Sequence, residues 1–166
     1  TKTADCTVNV SQTAKDEFVT MQATASPAKT GGELTITGSS NSTKLTFSWK
    51  QSPAPTLVLK IPASYTAGGM STPNGTAISG DPGATAQYSF SIKFTIPVNT
   101  TIGQLTATLV VTDAGGNTAQ CVITQAAGDA YLWVGAMSQT ETDCTISQAG
   151  TAASVQVFSN DAWTVK

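Results

Sequence analysis

Apolar and polar residues alternate along most of this chain with a period of two. Leu45, Phe47 and Trp49 are interleaved with Thr46 and Ser48, and Leu57, Leu59 and Ile61 with Val58 and Lys60. Tyr88, Phe90, Ile92, Phe94 and Ile96 alternate with Ser89, Ser91, Lys93 and Thr95; Leu105, Ala107, Leu109 and Val111 alternate with Thr106, Thr108 and Val110. Successive side chains of a strand point to opposite faces, so each series predicts a strand with one apolar and one polar face. Shorter runs at Phe18–Met21 and Ser154–Val157 predict further strands. No stretch has the 3.6-residue apolar recurrence of an amphipathic helix.

Turn residues punctuate these runs. Thr30-Gly31-Gly32, Ser52-Pro53-Ala54-Pro55, Asp81-Pro82-Gly83 and Asp113-Ala114-Gly115-Gly116-Asn117 combine glycine, which accepts positive φ, with proline, which fixes φ. Residues 67–86 are rich in Gly, Ser, Thr and Pro and predict a long surface loop. Short strands separated by such turns predict an all-β chain built as an antiparallel β-sandwich, with Trp49 in its core.

The stretch Phe94-Thr95-Ile96-Pro97, followed by Gly103, Leu105 and Thr112-Asp113-Ala114-Gly115-Gly116-Asn117-Thr118-Ala119, resembles the end of bacterial immunoglobulin-like (Big-type) domains. In that family a strand ending in Asp passes through a Gly-Asn turn into the last strand. The resemblance implies an immunoglobulin-like sandwich over residues 1–126, used as a spacer, docking or adhesion module, and no catalysis.

The end of the chain echoes its beginning. Asp143-Cys144-Thr145-Ile146-Ser147-Gln148-Ala149 repeats Asp5-Cys6-Thr7-Val8 and Ser11-Gln12-Thr13 with a two-residue gap, and an alternating run follows each. Residues 127–166 therefore read as a β-rich segment that opens a second sandwich without finishing it, or whose strands are exchanged. The run Ala153-Ser154-Val155-Gln156-Val157-Phe158-Ser159-Asn160-Asp161-Ala162-Trp163-Thr164-Val165 resembles the opening of BACON domains, where a strand is followed by Ser-Asn and then Trp. Two or three strands are marginal alone in water, and their edges expose unpaired N–H and C=O groups. Tyr131, Trp133, Val155, Val157 and Trp163 are thus expected to be assembly contacts. The tail would fold back on the first sandwich, pair with a neighbouring copy, or continue into a longer polypeptide.

Composition narrows the chemistry. The chain has 166 residues, eight basic and ten acidic, and its basic residues are all lysines, with no histidine and no arginine. It lacks the commonest acid–base side chain and the bidentate phosphate clamp. Net charge is −2, without the clustered basic residues of a nucleic-acid surface, and no apolar run is long enough for a membrane-spanning helix. Only 11% of residues are charged and 29 are threonine, a composition suited to strands in a larger array. The carboxylates are scattered, so no glycosidase pair, cofactor or metal is expected; Asp113, Gly115 and Asn117 read as a hairpin turn in preference to a Ca²⁺ loop.

Three cysteines leave one unpaired. The first and last strands of an immunoglobulin-like sandwich can lie side by side, which leads us to expect a Cys6–Cys121 disulfide, with three reduced thiols as the alternative. Cys144 would then be free or bonded to another subunit. Such a bridge implies an oxidising compartment and is worth about 4–5 kcal/mol by chain entropy. Four Asn-x-Ser/Thr triplets, at Asn9, Asn41, Asn74 and Asn99, are potential glycosylation acceptors.

These features predict a non-catalytic building block of an extracellular assembly, a pilus-like filament subunit or a virion decoration or fibre protein. Its partners would be copies of itself or neighbouring subunits. The alternative is a carbohydrate-binding or spacer module of a secreted protein, meeting surface glycans through Tyr65, Tyr131, Trp133 or Trp163.

Overall fold

The computed structural model describes residues 16–79, 87–136, 138–143, 148, 150 and 152–165. It is all-β among these residues. The elements are β1 (Val19–Met21), β2 (Thr24–Ala25), β3 (Gly32–Ser40), β4 (Leu45–Trp49), β5 (Ser64–Ala67), β6 (Met70–Pro73), β7 (Tyr88–Ile96), β8 (Leu105–Asp113), β9 (Thr118–Gln125), β10 (Leu132–Val134) and β11 (Val157–Ser159).

One sheet has the order β1-β3-β7-β5-β6 and another β2-β9-β8-β4. Immunoglobulin sandwiches carry strands A, B, E and D on one sheet and C, F and G on the other. With β1 and β2 as a strand A split between the sheets, β3 is B, β4 is C, β5 and β6 form D, β7 is E, β8 is F and β9 is G. The observed orders are that arrangement. All pairings are antiparallel except β2 with β9, where the first strand lies parallel to the last.

The alternation sets which side chains enter the core. Tyr88, Phe90, Ile92, Phe94 and Ile96 of β7 are all buried, as are Ala107, Leu109 and Val111 of β8. Their partners point outward, so both outer faces are dominated by Thr and Ser. Phe47 is the hinge between layers: its ring lies 5.0 Å from that of Tyr65 and 5.7 Å from that of Phe90, both edge-on, the geometry aromatic quadrupoles favour. Trp49 packs half-buried against Phe94 at 5.4 Å, and its indole N–H donates to Leu59 O at 2.7 Å. Gly38 lets β3 approach closely, since a Cβ there would collide with Thr20 O and the Phe90 ring.

Two expectations are corrected. Residues 67–86 are not one long loop. Gly68 and Gly69, with φ of 55° and 84°, make the two-residue turn of a β5–β6 hairpin, the geometry in which both central residues need positive φ. Residues 80–86 lie outside the described part. Conversely, the Leu57–Ile61 alternation does not join a sheet. It forms the crossing between the sheets, where Leu57 is buried and Leu59 and Ile61 pack on the core.

β10 and β11 belong to neither sheet. They form a separate antiparallel ribbon of three residue pairs, with Trp133 opposite Phe158. Among the described residues the tail therefore does not extend the sandwich's sheets. It is tied to them by a few polar contacts. Asn160 Nδ2 donates to Thr100 O (3.1 Å), Gly128 N donates to Thr101 O (2.7 Å), and Lys29 pairs with Asp129, while within the tail Asn160 Nδ2 also donates to Asp129 O (2.8 Å).

Candidate functional site

The expected assembly residues come together on the ribbon. Tyr131, just before β10, and Trp133 within it are two positions apart and point the same way, stacking with centroids 4.2 Å apart and planes 20° from parallel. Val157 lies on β11, and Val155 precedes it with its side chain exposed. Trp163 follows β11 and is 47% exposed, and Leu132 is 48% exposed. Tyr131, Leu132, Ser159, Asp161, Ala162 and Trp163 line a shallow depression of about 280 Å³.

Side-chain hydrogen bonds hold this arrangement where the backbone ladder is short. Tyr131 N donates to Asn160 Oδ1 at 3.0 Å, and Ser159 Oγ donates to Tyr131 O at 3.0 Å. Asp161 N donates back to Ser159 Oγ at 3.0 Å. The Ser-Asn pair that carries the resemblance to an opening strand thus clamps β10 to the residues after β11. The ribbon leaves both of its outer edges without a strand among the described residues.

The sandwich, in contrast, caps its rims. β4 is the edge of its sheet, and the Asn74 amide mimics a neighbouring peptide there: Oδ1 accepts from Phe47 N at 2.8 Å and Nδ2 donates to Phe47 O at 3.1 Å. Asn41 does the same for the strand entering β1, accepting from Phe18 N at 2.8 Å and donating to Asp16 O at 2.9 Å. Asn99 donates to Gly103 O and Ala126 O and accepts from Thr101 N and Oγ1. Three of the four Asn-x-Ser/Thr triplets therefore hold backbone in place, with Asn41 and Asn99 buried. A glycan on any of these amides would break the bonds. Asn9 lies outside the described residues.

The other expected site residues separate. Tyr65 is 3% exposed, between the sheets, which removes it from any sugar platform. Its hydroxyl makes no hydrogen bond among the described residues, and burial, with the nearby Tyr88, pushes its pKa up to about 12. Asp113 is buried in the β8–β9 turn; its carboxylate accepts from Asn117 N at 2.8 Å and Asn117 Nδ2 at 2.9 Å. Both oxygens serve the turn, as expected of a hairpin. Among the described residues no cluster of three His, Cys, Asp or Glu can hold a metal ion, and no helix is long and apolar enough to cross a membrane.

Cys121 is a buried free cysteine on β9, and burial pushes its thiol pKa up. Beside it β2 runs parallel to β9, with Thr24 opposite Val122 and Ala25 opposite Ile123. Cys6 and Cys144, with most of the repeated motif, lie outside the described residues. Comparison with known protein families and with curated proteins gives no match for this chain.

Proposed function

We propose that this chain is a non-catalytic structural building block of an extracellular assembly, a filament subunit or a virion decoration or fibre protein. It would hold its neighbours through sheet-edge pairing and burial of its C-terminal aromatics. The observation that carries this reading is the β10–β11 ribbon. Three residue pairs with no strand beside either outer edge among the described residues, presenting Leu132 and Trp163 half-exposed, make an element that is marginal alone in water. The strand order of the first sandwich supports the kinship with bacterial immunoglobulin-like domains. The succession of β11, Asn160 and Trp163 supports the kinship of the tail with the opening of BACON domains.

Light scattering after size exclusion tests the proposal. The whole chain self-associates, and removing residues 127–166 abolishes association. A stable monomer that loses nothing with its tail contradicts it.

A second reading is favoured by the depression between Tyr131, Trp163, Asp161 and Ser159. An exposed aromatic face beside a carboxylate suits a pyranose ring, and the chain would then be a carbohydrate-binding module of a secreted protein. Glycan-array binding lost on Trp163→Ala or Trp133→Ala supports this reading; absence of any glycan bound by the unaltered chain removes it.

A further inference from the structure

The cover over the β4 rim is incomplete. Asn74 occupies Phe47, Lys44 bridges Ala77, and Ile78 N donates to Thr43 O at 2.8 Å. Past Trp49 this cover ends. The chain loops through Pro53 and Pro55 and returns to β8, where the amides of Thr56 and Leu57 both reach Thr106 O at 2.9 Å. It then runs to Ala63 with Leu57, Leu59 and Ile61 against the core and Val58 and Lys60 outward, Val58 being 81% exposed. The amides of Val58, Leu59, Lys60 and Ile61 find no partner among the described residues; only Leu59 O is used, by the Trp49 indole. The run has a strand's side-chain pattern and, among the described residues, no strand beside it.

Charge marks the same place. Lys29 and Lys93 are paired with Asp129 and Glu33, whereas Lys44, Lys50 and Lys60 make no ion pair among the described residues. These three flank β4 or sit on the open run. The C-terminal stretch is the opposite: residues 127–166 hold four carboxylates, Asp129, Glu141, Asp143 and Asp161, against one lysine. Glu141, Asp143 and Asp161 are exposed and make no ion pair among the described residues.

We propose that the Val58–Ile61 run, which carries Lys60 and lies beside the β4 end that Lys50 follows, is the seat for the C-terminal ribbon of a second copy of this chain. The β11 edge of the ribbon, which unlike Val134 on β10 has no backbone partner on its outer side among the described residues, adds to the unpaired backbone, as in recognition by strand addition, while the ribbon's carboxylates face the lysines. The inference rests on the assembly reading and gives it a geometry. Seat and ribbon are different patches of one chain, so the contact is head-to-tail and repeats into a ring or an open filament.

A charge swap tests this. One variant carries Lys50→Glu and Lys60→Glu, the other Glu141→Lys and Asp143→Lys. All four side chains are exposed or half-exposed, and circular dichroism checks that both variants fold. Sedimentation velocity over a range of protein concentrations then reads association of the full-length chains. The unaltered chain associates, less so at high salt. Each variant alone associates at least about tenfold more weakly, and an equimolar mixture of the two recovers, because every seat then meets a tail of opposite charge. If the unaltered chain associates and both variants match it, or the mixture fails to recover, the seat is wrong and the assembly reading stands. If the unaltered chain stays monomeric at every concentration and salt, both fall.

Discussion

Replacing Asn74 by aspartate changes a single atom in the clip on β4. The retained oxygen still accepts from Phe47 N, at 2.8 Å in the native arrangement. The amide nitrogen, however, donates to Phe47 O at 3.1 Å, and a carboxylate oxygen there faces a carbonyl oxygen. One hydrogen bond is lost, and a half-buried charge meets the negative end of a peptide dipole. We expect a loss of about 2–3 kcal/mol at neutral pH, against about 1–2 for Asn74→Ala, which removes both bonds without adding repulsion. The carbonyl raises the pKa of the new carboxyl in the folded state above its unfolded value. Its favourable, protonated form is therefore fully present below the unfolded carboxyl value of about 3.9, and the stability is lost as pH rises through the folded pKa. Urea unfolding followed by circular dichroism, at neutral and acid pH with unaltered chain alongside, measures both effects; the midpoint shifts and the slope does not. An Asn74→Asp variant within about 0.5 kcal/mol of the unaltered chain at neutral pH would refute the reasoning. So would a destabilised variant whose deficit persists in acid.

Three other outcomes follow from the core. Phe47→Ala, which empties the space between Tyr65 and Phe90, costs about 3–5 kcal/mol in the same unfolding assay. Stability falls as pH rises from about 10, where an exposed tyrosine ionises, to about 12, where buried Tyr65 does. In that window the unfolded chain releases a proton that the fold retains. The loss is on the order of 2–3 kcal/mol, and Tyr65→Phe reduces it in alkaline thermal melts. The Cys121 thiol, buried and raised in pKa, stays silent to a thiol reagent in the native chain and reacts once the chain is unfolded, as mass spectrometry of the labelled peptide records.

The sandwich was legible because its strands are long and strictly alternating. β7 buries every second side chain as the pattern requires, β8 does so from Ala107 onward, and the β8–β9 turn announces itself through Asp113 and Asn117. What escaped was chemistry that periodicity does not encode. Gly68-Gly69 is a hairpin turn inside a stretch whose small residues read as loop. Leu57–Ile61 has a strand's alternation but serves to cross between sheets, since Thr106 O already takes Thr56 and Leu57. The roles of Asn41, Asn74 and Asn99 were hidden because an amide that imitates a peptide group looks in sequence like a glycosylation acceptor. Tyr65 was offered as a sugar platform because aromatic residues on a strand do not declare their face until a register is fixed. The ribbon's aromatics were legible as a group, through the mismatch between their apolar character and the few strands available to cover them.

Whether the ribbon needs a neighbour is tested most directly by amide hydrogen exchange read at two protein concentrations. The peptides spanning β10 and β11 should exchange rapidly in dilute solution and become protected as concentration rises, while β7 and β8 remain slow throughout. Slow exchange of Leu132–Val134 and Val157–Ser159 in a dilute monomer would contradict that need, because the ribbon would then be stable with no partner at all.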